Sequence, residues 1–285
     1  MPLRELIQRL IHIFEVGAGA RILRFILLAL AVLGLGIWYD AHAWRNFSTP
    51  EAMDSAQLAR NISEGKGYTT QFIRPLSLYL VQSHNQIKDS ITSTNADFDF
   101  ARIKTLHPDL ANAPIYPLAL AGLMKILPFD YGVELKKSFW SGNGRFARYQ
   151  PDFLISMFDE MLLLIAATLT FFLARKLFDE NVAWLSAGLV VGCELLWRFS
   201  ASGLSTMLLL VIFLALAWCV LKMEELAREP QPRFARLLIF AIGVGILTGI
   251  GALTRYSFGW TIIPVTIFLV LFGGQRRLVH ALAAL

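Results

Sequence analysis

Charge is scarce in this chain. Asp, Glu, Lys and Arg make up 16% of its 285 residues, against about 25% in a soluble domain. With a mean hydropathy of +0.55, that shortfall excludes an ordinary water-soluble domain. Cysteine is scarcer still, since only Cys193 and Cys219 occur. Both lie in apolar runs and read as small buried hydrophobes. The polar region over residues 40–151 has none, so it is not stapled by disulfides. His107 has no second His or Cys at ligand spacing, so neither a metal site nor a cofactor is expected. No phosphate-cradling Walker loop, Gly-x-Ser-x-Gly elbow, His-Glu-x-x-His pair or dinucleotide fingerprint appears. The net charge is +5, but Lys and Arg flank apolar runs instead of interleaving with aromatics. That is a topology signal, and no nucleic-acid partner is expected.

What the chain does have is apolar runs close to bilayer length. They predict an all-α integral membrane protein, a multi-span helix bundle forming a single membrane domain. Residues 1–24 carry Arg4, Arg9, Arg21 and Arg24, with Leu3, Ile7, Leu10, Ile11 and Phe14 at helical spacing. This is the pattern of an interfacial amphipathic helix on the cytosolic side. Residues 25–39 form the first span, and Trp38 and Tyr39 anchor it at an interface. Ala41-His-Ala43 resembles a signal-peptidase site, but the long basic leader favours an uncleaved anchor. Residues 152–275 read as five further spans, over 153–174, 182–197, 199–221, 237–254 and 256–275. The last residues, 278–285, look like the start of another helix with no stop signal, which points to truncation at the carboxy terminus.

Residues 40–151 form a long loop between the first two spans. Part of it, 111–127, is apolar enough to be taken for a span. Loop charge decides against this. If 111–127 does not cross, Arg175, Lys176, Lys222, Arg228, Arg233, Arg236, Arg276 and Arg277 share the side of the amino terminus, and only Arg198 and Arg255 lie in the opposite short loops. That arrangement satisfies the positive-inside rule, and a crossing reverses it. So 111–127 is expected to lie in or dip into the outer leaflet. The predicted topology is a multi-pass protein of the inner (plasma) membrane with a cytosolic amino terminus and an outer loop.

Within that loop, residues 48–68 carry the clearest local signals. Ser48-x-x-Glu51 predicts a capping box, and Pro50 suits a first helical turn. A helix follows to about Ser63, stopped by Gly65 and Gly67. Glu51, Asp54, Gln57 and Asn61 then fall on one polar stripe, and Ala52, Ala56 and Ala59 on a neighbouring face that admits close helix approach. Arg60 points elsewhere, either to bind phosphate or to snorkel. Arg74 and His107 sit in turns, and Tyr116 is expected at the rim of 111–127. Arg255 ends the fifth span on the same outer side. Arginine suits phosphate, which it grips with a planar fork of donors. Asp159 and Glu160 lie near the outer end of the second span, and Glu194 and Arg198 are spaced for a helical ion pair.

In this order, the motifs resemble those of the bacterial GT-C membrane glycosyltransferases, similar to protein O-mannosyltransferases and aminoarabinose transferases. The series is Pro50-Glu-Ala-Met-Asp-Ser-Ala-Gln-Leu-Ala-Arg60, Gly65-Lys-Gly-Tyr68, Phe72-Ile-Arg-Pro75, His107, Asn112-Ala-Pro-Ile-Tyr-Pro-Leu-Ala-Leu-Ala121, Arg175-Lys-Leu-Phe178 and Leu253-Thr-Arg-Tyr256. It covers most of the chain. The resemblance implies a GT-C bundle with juxtamembrane helices in the long outer loop. It implies inverting transfer of a hexosyl or pentosyl unit from a polyprenyl-phosphate donor to a lipid, glycan or protein acceptor at the outer face. The acid of the first loop is then the general base. Aligned on Ala56, that acid falls on Glu51 or Asp54. Asp54 is preferred because the capping box occupies Glu51. Gln57, Arg60, Arg74, His107, Tyr116 and Arg255 become candidate substrate or phosphate contacts. Departing from many relatives, Arg198-Phe-Ser-Ala-Ser-Gly-Leu-Ser-Thr206 has no acid. A reading from another class is a non-catalytic membrane component handling lipid-linked glycans, such as a flippase or assembly factor.

Overall fold

The computed structural model describes residues 18–71, 74, 79, 106–132, 148–229 and 234–272. The amphipathic pattern expected over residues 3–14, the basic residues 276 and 277 and the terminal run 278–285 lie outside them. The chain divides into two compact units, residues 1–45 and 46–285. The first holds helix α1, Ala18–His42, which encloses the span expected over 25–39.

In the second unit, α2 runs Pro50–Ser63, the bounds that its local signals predict. Its start differs in one respect. The residue at the cap is Thr49, in extended conformation, and no side-chain cap hydrogen bond forms. The Ser48–Glu51 capping box is therefore corrected. Pro50 fixes the first turn one residue later than the box requires, which releases Glu51 from a capping role. At the other end the amide of Gly65 reaches the carbonyl of Ile62 at 3.1 Å, and the amide of Lys66 reaches that of Asn61 at 2.8 Å. Gly65 has φ +76°. This left-handed closure satisfies otherwise orphaned carbonyls. The chain then turns back into β1, Thr69–Thr70, which pairs antiparallel with β2, His107–Pro108, in the register Thr69 to Pro108 and Thr70 to His107.

Helix α3, Ile115–Ile126, is the short apolar helix expected within 111–127. Ala52 and Ala59 of α2 pack against Tyr116, Leu120 and Ala121 of α3 and against Ile155, so the small-residue face does admit close approach.

Helix α4, Gln150–Leu177, has 28 residues and extends ~42 Å at 1.5 Å per residue. That exceeds a bilayer core of about 30 Å. The run expected over 182–197 is broken. Helices α5, Glu180–Gly192, and α6, Glu194–Ser200, meet at 56°. The expected Glu194–Arg198 ion pair does not form among the described residues; both side chains are exposed. Helix α7, Thr206–Ala227, and α8, Phe234–Thr254, follow. A 3₁₀ turn, Tyr256–Thr261, leads into α9, Ile262–Phe272. Among the described residues, three helices are long and apolar enough to cross a membrane, and four if the bent pair counts as one span. The span expected over 256–275 thus begins as a tight turn, and the rest of it is described only to residue 272.

Side chains from α7, α8, the turn and α9 form one core, with Ile212, Leu216 and Met223 against Leu237, Val244, Phe258 and Leu269. Lys176 of α4 pairs with Glu225 of α7, which Lys222 also approaches at 3.4 Å. The carboxy-terminal ends of α4 and α7 therefore lie together. The amino-terminal end of α4 lies with the loop helices: the Phe47 amide donates to Asp152 at 3.0 Å.

Candidate functional site

Asp54 accepts three side-chain hydrogen bonds, and it is fully buried at 0% exposure. Thr70 Oγ1 donates to its Oδ1 at 2.6 Å. Arg74 Nη2 and Asn112 Nδ2 donate to its Oδ2 at 2.5 and 2.6 Å. One carboxylate of α2 thus gathers Thr70 of the strand after it, Arg74, and Asn112 of the loop before α3, which are 16, 20 and 58 residues away in sequence. A buried carboxylate is tolerated only with such partners. The same three bonds occupy most of the carboxylate's acceptor sites.

Asn112 continues the network. Its amide and that of Ala111 donate to Asp109 at 2.9 and 3.3 Å, a side-chain-closed turn. Its carbonyl accepts from Tyr68 at 2.9 Å and from Tyr256 at 3.2 Å. Tyr256 follows Arg255, so this bond ties the end of α8 to the loop that holds Asp54. The turn there depends on Gly251, because a Cβ added at that residue falls 2.3 Å from Phe258 Cδ1.

Beside this network lies a cavity of about 390 Å³, lined by Glu51, Ser55, Asn112, Tyr116, Thr254 and Arg255 among others. Glu51 and Arg255 are both exposed, and neither side chain has an ion-pair partner among the described residues. An unpaired acid and an unpaired guanidinium therefore face one space. This acid can accept a proton, and this cation can receive a leaving anion.

The other expected contacts are distributed differently. Arg74 is bound to Asp54. His107 is buried in β2. Tyr116, expected at a rim, is 1% exposed, and its hydroxyl donates to Asp159 at 2.8 Å. Asp159 is itself fully buried. Gln57 belongs to the polar stripe, but it binds Thr70 and Gln71 at 3.3 and 3.2 Å, and Asn61 donates to the Thr69 carbonyl at 2.7 Å. Much of the stripe thus secures the returning strand. Arg60 lines a second cavity and not the first. Among the described residues no group of three or more His, Cys, Asp or Glu is gathered in a way that holds a metal ion.

Sequence reasoning passed over Thr70, Asp109, Asn112 and Tyr256 as site residues. One local signal was available: an Asx residue three before another, ahead of Pro114, marks a closed turn. The bond from Tyr256 to Asn112 spans 144 residues and leaves no local trace.

Residues 150–285 match the family described as dolichyl-phosphate-mannose-protein mannosyltransferase. No curated protein and no solved structure matches the chain. The match starts with α4 and includes Arg255 and Tyr256, while α2, α3 and Asp54 with its three donors precede it.

Proposed function

We propose, from the place of residues 150–285 in the dolichyl-phosphate-mannose-protein mannosyltransferase family, that this GT-C-type membrane protein transfers a sugar from a polyprenyl-phosphate carrier to an acceptor hydroxyl in the Glu51–Arg255 cavity. The observation that carries this reading is the pairing in one cavity of an acid and a cation that no other described group neutralises.

Glu51 accepts the proton of the acceptor hydroxyl. The acceptor oxygen then attacks the anomeric carbon as the bond from that carbon to the phosphate oxygen breaks. The polyprenyl phosphate leaves with the electron pair, and Arg255 stabilises its charge. Attack opposite the leaving group inverts the anomeric centre. In this reading Asp54 passes from base to anchor, since the capping role that set Glu51 aside does not form. Through Asn112 and Tyr256, Asp54 fixes the two elements that carry Glu51 and Arg255. The strong basic bias of the loops at one end of the bundle supports a cavity on the outer face and a cytosolic amino terminus.

Membranes containing the protein, supplied with labelled polyprenyl-phosphate mannose and a mixed pool of lipid, glycan and protein acceptors, test the reading. Release of polyprenyl phosphate with a product of inverted anomeric configuration is expected. An untouched donor in every acceptor mixture overturns the enzymatic reading in favour of a carrier or assembly component.

A further inference from the structure

The other side of α2 holds a second cavity, of about 440 Å³, whose walls include Met53, Gln57, Arg60, Tyr131, Tyr149 and Asp152. Its chemistry differs from that of the first. Arg60 is ion-paired with Glu64 at 2.8 Å, and its guanidinium lies 4.0 Å from the centre of the Tyr131 ring. Asp152 supplies the opposite charge. Among the described residues no uncompensated cation faces this space, so a phosphate or carboxylate finds no strong partner among them. The walls combine aromatic rings and a methionine with amide, guanidinium, phenol and carboxylate groups. Burial raises the Tyr131 and Tyr149 phenols above their ordinary value, so both hydroxyls stay neutral and able to donate. Apolar walls with a few fixed polar groups are what orient a small neutral ligand. A ring with an aliphatic C–H face and a fringe of hydroxyls matches both halves of such a wall.

The geometry points to this second cavity as a binding site for a neutral saccharide, on the opposite side of α2 from Glu51. It rests on the proposed transfer reading only in its biological sense: a distal sugar held here makes the acceptor a glycan or a glycosylated chain. The two cavities share α2, since Glu51 and Ser55 line one, and Met53, Gln57 and Arg60 line the other. A helix with its side chains is about 10–12 Å across, so an acceptor that reaches both must be longer than one sugar.

The test is a binding measurement with the full protein in nanodiscs, using methyl α-mannoside, mannobiose and mannotriose as probes and inorganic phosphate as competitor. Binding is expected to tighten with saccharide length and to be indifferent to phosphate. Tyr131→Ala is expected to weaken it about tenfold, equivalent to about 1.4 kcal/mol, and Tyr131→Phe to preserve most of it. Arg60→Met, on the facing wall, is expected to weaken it in the same way. Arg255→Ala and Glu51→Gln are expected to leave it intact, which separates this site from the transfer reading. No saccharide binding, binding displaced by phosphate, or binding lost in Arg255→Ala but kept in Tyr131→Ala and Arg60→Met overturns the proposal.

Discussion

The two sides of α2 contrast an uncompensated environment with a compensated one. On one side Glu51 and Arg255 face a shared cavity with their charges unpaired. On the other, Arg60 is held by Glu64 and covers Tyr131. Between them Asp54 is sealed from solvent and bound by three donors. Glu51 and Asp54 are one turn apart, about 60° around the helix at 100° per residue, yet one is exposed and the other is at 0% exposure. Two carboxylates on one stripe therefore sit in different environments. The buried one ties together three segments of the loop, and the exposed one faces a cavity.

Removing the anchor gives the largest expected loss. Asp54→Ala removes the acceptor that Thr70, Arg74 and Asn112 share, and breaking such a partly buried pair costs up to about 3 kcal/mol. Hydrogen exchange should show lost protection at Thr70 and at residues 107–112 while α7 and α8 keep theirs. Unchanged protection breaks the contrast. Arg255→Ala acts on the other side of it. Transfer should fall about 10²–10³-fold, the cost of removing one preorganised donor, with no change in thermal stability. A loss of stability in place of activity makes Arg255 structural. Gly251→Ala is a smaller perturbation of the same corner. The new methyl meets the Phe258 ring, and overpacking of this kind costs about 1–3 kcal/mol. Thermal melting should record that cost, and transfer should fall because the turn bearing Arg255 shifts. Tyr256→Phe is the mildest. It removes one 3.2 Å hydrogen bond to Asn112, worth about 0.5–1.5 kcal/mol, and should raise KM for the donor more than it lowers kcat.

Locally encoded features were legible in the sequence. Pro50 at one end of α2 and Gly65 at the other set its limits, and alanines spaced by four and three marked a face open to close approach, which α3 meets. Loop charges argued that residues 111–127 do not cross; the structure describes a 12-residue helix there, packed on α2. A one-residue shift at the start of α2 was enough to mislead. With Thr49 at the cap, the position that would complete a box is Ala52, so Glu51 is not a capping residue. The break between α5 and α6 was also hidden, because no proline marks it, although Glu194 interrupts the apolar run just after the bend. What could not be read was the convergence of distant segments. The bonds of Asp54 to Asn112, of Phe47 to Asp152 and of Tyr256 to Asn112 span 58, 105 and 144 residues, and they decide which acid is buried.

The most direct measurement compares Glu51→Gln with Asp54→Asn at matched amounts of folded protein, read as transfer from a polyprenyl-phosphate sugar. Glu51→Gln should cut the rate about 10²–10⁴-fold, the usual contribution of a positioned base, without changing the protection of the loop. Asp54→Asn, which keeps the shape of the anchor, should stay within about tenfold of wild type, near 1.4 kcal/mol of barrier. Full activity in Glu51→Gln with none in Asp54→Asn contradicts the division of labour between the two carboxylates.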